Sequence, residues 1–245
     1  MDWTDDGIVL SARPHGETAG LAVLLTRAHG RHAGLVHGGQ GSRMRAVLEP
    51  GNRVAAHWRA RLSEQLGTWS LELERATAAG LLDDPLRLAA LSSACALLDA
   101  ILPEREPHPE VFAATLALFD ALDGDVWAEI YVRWEAGLLE VAGFGLDLSR
   151  CAATGQVPAD NDQLAFVSPR TGRAVSLSAS EPFRDKLLPL PPFLVGRSDG
   201  GPHEVSVGLD LTGHFLERHV FALRHAEVPP ARTRFVDRYR RSLKP

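Results

Sequence analysis

Hydrophobic and polar positions change rhythm once along this chain, near residue 80. Before that point the apolar runs are short and broken by glycine turns. Gly7 to Arg13 (GIVLSAR), Leu21 to Thr26 (LAVLLT) and His32 to His37 (HAGLVH) each have strand length, with a turn at Ala28-His29-Gly30. Arg53 to Leu62 alternates imperfectly and is a fourth candidate strand. Trp69 to Ala76 alternates cleanly, with Trp69, Leu71 and Leu73 against Ser70, Glu72 and Glu74, the pattern of a half-buried strand. Five short strands in about the first 75 residues predict a small antiparallel barrel, for which the five-stranded OB-fold is the common solution and an SH3-like barrel the alternative.

After residue 80 the period becomes helical. Asp84-Pro85 pairs an N-cap with proline at the first helical position, and Leu86, Leu88, Leu91, Ala94, Leu97, Leu98 and Ile101 follow at helical spacing. Cys95 lies among them and reads as a small core residue. Glu110 to Leu122 and Asp125 to Ala142 predict two more amphipathic helices. Ser149 to Ser178 is polar, with Thr154-Gly155 and Thr171-Gly172 turns around a strand-like QLAFVS, and reads as a hairpin or irregular insertion. Pro182 to Pro192 is a proline-rich connector or short helix. Glu204 to His225 and Ala231 to Leu243 predict two last helices, broken apart at Pro229-Pro230. The fold class expected is α+β: an OB-fold domain over 1–78, then a helical domain over 79–245 with an insertion near 149–178.

Composition adds limits. The 245 residues are 45% hydrophobic and 23% charged, as in ordinary globular proteins. No apolar run reaches the ~18 residues of a membrane span. The opening MDWTDDGIVL is acidic where a signal peptide is basic, and two cysteines make no disulfide framework, so a cytoplasmic setting is expected. The net charge of −5 conceals two basic ends. Arg13, Arg27, Arg31, Arg43, Arg45, Arg53, Arg59 and Arg61 face only Glu17 and Glu49 in the span from Arg13 to Arg61. A second basic cluster, Arg224, Arg232, Arg234, Arg238, Arg240, Arg241 and Lys244, closes the sequence. Such asymmetry suggests contact with nucleic acid.

Catalytic and nucleotide-binding motifs are missing. There is no GxSxG, HExxH, Walker lysine loop or paired-cysteine motif. The segment Gly38-Gly39-Gln40-Gly41-Ser42 has no Lys-Ser/Thr and opens no clear helix, so it is not read as a P-loop. It is either a plain hairpin loop or a place where Arg43 and Arg45 meet phosphate. An OB barrel that binds single strands combines a cationic groove with stacking aromatics. The candidate DNA-binding residues are therefore Arg13, Arg27, Arg31, Arg43, Arg45, Arg53 and Arg59, with Trp58 either stacking a base or facing the core. The basic helix near Arg232 to Arg241 either extends that surface or is a solvated face.

The order of these parts resembles the RecO family of bacterial recombination mediators. The resemblance rests on GIVLSARPHGETAGLAVLLTRAHGRHAGLVHGG at the start, on YVRWEAGLLEVAGFGLDLSRCAATG, and on the C-terminal pair of helices with Arg234-Phe235. It implies an OB-fold followed by a helical domain, and a non-enzymatic role in DNA repair and recombination. It also implies binding of single- and double-stranded DNA, strand annealing, and loading of RecA with RecR and single-strand-binding protein. The acidic C-terminal tail of the latter would dock on the helical domain, with Phe215, Arg218, Phe221, Arg224 and Arg234 as candidates. Two departures stand out. Many members carry a four-cysteine zinc site, where this chain offers only Cys151, with Thr154 three positions on, so no metal or other cofactor is expected. The Gly-rich loop begins His37-Gly38-Gly39-Gln40 in place of a Lys-Gly-Ala-Arg-like tract. The competing reading is an OB-containing scaffold that acts through protein partners and has little DNA binding of its own.

Overall fold

The computed structural model describes residues 1–62, 64–157 and 162–244. Five strands, β1 (Asp2–His15), β2 (Ala19–Thr26), β3 (Gly30–Val36), β4 (Arg53–Arg59) and β5 (Thr68–Arg75), close into a barrel in the order β1-β2-β3-β5-β4. All neighbours are antiparallel except β3 and β5, which meet in parallel only at Leu35–Thr68 and Val36–Trp69. β1 is twice the length the apolar pattern predicts. Its polar first half, Asp2 to Ile8, pairs with β4, and from Gly7 onward it pairs with β2, with a bulge between Val9 and Ser11. Period-two alternation sets the interior: β3 buries Gly30, His32, Gly34 and Val36, and β4 buries Val54, Ala56 and Trp58. Gly34 is fixed by a close approach, since a Cβ there would lie 2.6 Å from the Trp69 ring.

Between β3 and β4 lies a short helix, α1 (Ser42–Val47), whose Met44 and Val47 pack against the barrel core beside the buried Leu48. A single turn, α2 (Thr77–Gly80), leads to α3 (Pro85–Ile101). Asp84 caps α3, its Oδ1 accepting from the amides of Leu86 and Arg87 at 3.1 Å, and Pro85 needs no partner at that position. α3 buries Ala90, Leu91, Ala94, Cys95, Leu97, Leu98 and Ile101, and the Cys95 thiol contacts the Val9 carbonyl of β1. Burial pushes that thiol's pKa well up, which keeps it an inert core group. By packing, the compact unit that holds the barrel covers Met1–Asp120 with Pro229–Arg238, so it takes in α3 and nearly all of α4 (Pro109–Ala121).

The other unit covers Ala121–Val228 with Tyr239–Pro245. Its centre is α5 (Trp127–Val141) against α7 (Pro202–Phe215), brought close where Gly208 faces Val132. The predicted helix from Glu204 to His225 is α-helical only to Phe215. It continues as a π-helical stretch, Leu216–Phe221, and ends in a 3-10 turn at Ala222–Arg224. The polar insertion forms a small three-stranded sheet, order β7-β6-β8, from β6 (Leu164–Val167), β7 (Ala174–Ser176) and β8 (Leu188–Pro189), with the turn α6 (Leu177–Ser180) after β7. The last helix, α8 (Pro230–Ser242), is divided between the units after Arg238, and its buried Phe235 and Val236 belong to the unit of the barrel. Among the described residues no helix is long and apolar enough to cross a membrane.

Candidate nucleic-acid interface

Where β1 finishes, three pieces of chain meet. β1 ends at Arg13-Pro14-His15, β2 starts at Ala19, and β3 delivers its end into Gly38-Gly39. Gly39 sits so close to Gly20 that a Cβ on it would lie 2.5 Å from the Gly20 nitrogen. Gln40 completes the fastening: its Nε2 donates to the carbonyls of Gly16 at 2.9 Å and Ala19 at 3.1 Å, and its backbone amide donates to Thr18. The Gly-rich segment is thus pinned to the β1–β2 turn and runs straight into α1, where the sequence pattern predicts an open loop with no helix. The signal for α1 is the apolar triplet Met44, Val47 and Leu48 at i, i+3 and i+4. Because Met44 turns inward, its neighbours Arg43 and Arg45 turn out, and both are exposed. Arg13 is exposed at the same end, as are His15 and His37. Among the described residues none of these three arginines has an ion-pair partner.

The other four candidate arginines are occupied. Arg27 places Nε and Nη2 on Asp6 at 3.1 and 2.9 Å and lies over the Phe112 ring. Arg59 does the same with Asp2. Arg31 donates to the Leu102 carbonyl at 2.8 Å and to Asp99 at 3.1 Å. Arg53 is bonded to Asp120, which Arg75 also meets. Asp2 shows the effect on the acid side: hydrogen bonds from His57 and Arg59 hold its carboxyl below the usual range. A phosphate reaching these arginines must displace a carboxylate first, so the structure does not group them with Arg13, Arg43 and Arg45.

Trp58 faces the core and presents no ring to a base. It is 1% exposed, because position 58 falls on the buried side of β4 while His57 and Arg59 point out. It belongs to a cluster in which Trp3 stacks on His29 at 3.8 Å, lies against Trp58 at 5.6 Å and meets Trp69 edge-on. His32 sits inside this cluster, 5% exposed, with neither ring nitrogen hydrogen-bonded. Burial, and then the nearby charges of Arg105 and His29, lower its pKa to about 4. Hydrophobic periodicity alone identifies His32 as an inward position of β3.

In the helical unit Phe215 and Phe221 are also core residues, each 2% exposed, while Arg218 and Arg224 are at the surface. The apolar side chain exposed beside them is Leu223. Arg234 belongs to the compact unit of the barrel. Cys151 is buried and accepts from the Ser176 amide at 3.3 Å. Burial raises its pKa, but hydrogen bonds from Ser176 and Thr154 outweigh that and bring it down to about 6. Among the described residues no group of three or more His, Cys, Asp or Glu side chains is placed to hold a metal.

Comparison with known proteins gives this arrangement a context. Residues 1–75 match the family model described as Recombination protein O N terminal, and residues 82–227 the one described as Recombination protein O C terminal. Over 242 residues the chain is 81% identical to the DNA repair protein RecO of Rhodospirillum centenum, covering 99% of this chain and 96% of that one. It is 51% identical over 249 residues to the protein of the same name from Rhodospirillum rubrum, covering 98% and 97%, and 52% identical over 240 residues to that of Phenylobacterium zucineum, covering 97% of each. With both halves matched and relatives aligned along almost their whole length, the chain belongs to the RecO family of DNA repair and recombination proteins.

Proposed function

We propose that this protein is a non-enzymatic, DNA-binding recombination mediator whose barrel contacts DNA at the end where β1 finishes. The observation that carries this reading is the set of three exposed arginines, Arg13, Arg43 and Arg45, without carboxylate partners among the described residues, on an OB-type barrel in a chain of this family. Guanidinium groups meeting phosphate give sequence-independent binding that falls steeply with salt, which suits a factor that must accept any strand. On this reading the protein anneals complementary strands and, with RecR, helps load RecA onto DNA covered by single-strand-binding protein. The partner's acidic tail would meet Leu223 with Arg218 and Arg224 at its rim, the buried phenylalanines serving only as support. The functional division is proposed between 78 and 79, the barrel serving DNA and the remainder serving partners.

One observation favours the scaffold alternative: the protein's own acids occupy four barrel arginines, and the net charge is −5. Fluorescence anisotropy of a labelled single-stranded oligonucleotide across a salt series separates the two. The expected result is tight binding at ~50 mM salt. Arg43→Ala with Arg45→Ala should weaken it at least ~10-fold and reduce the salt slope by about 1.4, or 0.7 for each lost contact to single-stranded DNA. Absence of binding at ~50 mM salt would favour the scaffold.

A further inference from the structure

We infer that the barrel binds only the sugar–phosphate backbone, so that a strand stripped of its bases is as good a ligand as an intact one. This rests on the reading of Arg13, Arg43 and Arg45 as DNA contacts and narrows what they take.

The first ground is the placement of aromatic rings. Barrels that hold single strands do so largely by stacking bases on exposed aromatic side chains, each stack adding from several-fold to about a hundredfold in affinity. In the compact unit of this barrel Trp58, Trp69, Phe112, Phe119 and Phe235 are all buried. The remaining tryptophan, Trp3, is committed to His29 and Trp58.

The second ground is the outer surface of β1, β2 and β3, where such barrels present their stacking platform. Strand register lines up Arg13, Leu21 and Leu35 in one row and Ser11, Val23 and Ala33 in the next. These two rows carry aliphatic or small side chains beside the arginine, and the row beyond them pairs His15 with Ala19, so the rings offered here are imidazoles and not those of tryptophan, tyrosine or phenylalanine. The third ground is that amides able to read base edges are turned inward. Gln40 donates to Gly16 and Ala19, and Asn52 donates to the carbonyls of Ala46 and Val47. What this end offers outward is guanidinium charge, with the His15 and His37 ring nitrogens beside it, and phosphate oxygens are the common acceptor for all of them.

The test compares two labelled oligonucleotides of equal length, one of thymidines and one with abasic sites throughout, at matched salt. The full chain carries Phe183→Ala, which removes an exposed ring of the other compact unit. Binding of the intact strand, and its loss in Arg43→Ala plus Arg45→Ala, is measured first. If that arm fails, the DNA-binding reading falls and this inference with it. If it succeeds, affinities for the two strands within about twofold support backbone-only binding. A deficit of tenfold or more on the abasic strand, with the arginine dependence intact, overturns the inference and leaves the DNA-binding reading standing.

Discussion

Six of the seven candidate arginines divide three and three between the two ends of the barrel, which treat them in opposite ways; the seventh, Arg53, opens β4 and is held by Asp120. Where β1 begins, Arg27, Arg31 and Arg59 lie on Asp6, Asp99 and Asp2. Where β1 finishes, Arg13, Arg43 and Arg45 have no carboxylate partner among the described residues. Counting guanidinium groups gives equal promise to both ends, whereas pairing sets them apart, and on the reading proposed above only the second is open to an outside anion. For Arg27 and Arg59 the acidic residues of Asp2 to Asp6 are the reason: they precede the apolar part of β1, extend it, and bring carboxylates alongside β2 and β4, while Arg31 is met by Asp99 of α3. The closed end also sits over the Trp3, Trp58, Trp69 and His32 cluster, so ion pairs and aromatic packing act together there.

If the closed end is structural, the largest effect should come from its centre. Trp58→Ala should cost about 3–5 kcal/mol of stability, read as a lower urea midpoint at unchanged m-value. Arg43→Ala with Arg45→Ala should stay within about 0.5 kcal/mol of the parent in the same assay, since both side chains are exposed. Equal losses in the two variants would erase the distinction between the ends.

His32 gives a second, smaller handle on the same end. Its folded pKa of about 4 lies below the 6.5 of a free histidine. Between those values the unfolded chain binds a proton that the folded one refuses, so stability must decrease as pH falls from 6.5 toward 4. The full contribution is about 3 kcal/mol, since each pH unit between the folded and unfolded values is worth about 1.4 kcal/mol. Asp5, His29 and Arg105 stand nearby, and the first two are themselves bonded to each other. His32→Leu removes two buried nitrogens that have no partner, so at pH 7 it should be close to neutral. By pH 5 the variant should exceed the parent by about 2 kcal/mol in thermal unfolding. A parent and variant that lose stability in parallel would place the proton elsewhere.

The reach of the sequence is visible in these same residues. Alternation in β4 and in the first half of β5 and the Asp84-Pro85 cap are local and appear where their patterns put them, whereas Leu73, on the inward phase of β5, is exposed. Trp58 follows from the alternation too, once Val54 and Ala56 fix the inward phase. α1 is obscured because three glycines precede it and its apolar triplet is only one turn long. The pairing of arginines is of another kind. Asp6 and Arg27 are 21 positions apart, and Asp2 and Arg59 are 57 apart. Only the register of a closed barrel brings them together, and a one-residue slip would reverse which side chains share a face. Which arginines lack a carboxylate partner is therefore a property of the assembled sheet.

The mildest change tests whether the carboxylates alone make the ends differ. Asp2→Asn with Asp6→Asn leaves Arg59 and Arg27 in place and removes the charge that occupies them. Asp2 is held ionised by His57 and Arg59, so the substitution removes a full charge at neutral pH. If occupancy is what silences this end, the double variant should bind a single-stranded oligonucleotide a few-fold tighter, with a salt slope steeper by up to about 1.4, for two new phosphate contacts. A general gain from lower net negative charge would look different. Asp83→Asn with Glu64→Gln, which alters two exposed acids by the same total charge, should shift affinity less and leave the slope unchanged. Should both pairs behave alike, the closed end lies out of reach of the strand, and the division of labour between the two ends follows from their position on the barrel more than from their ion pairs.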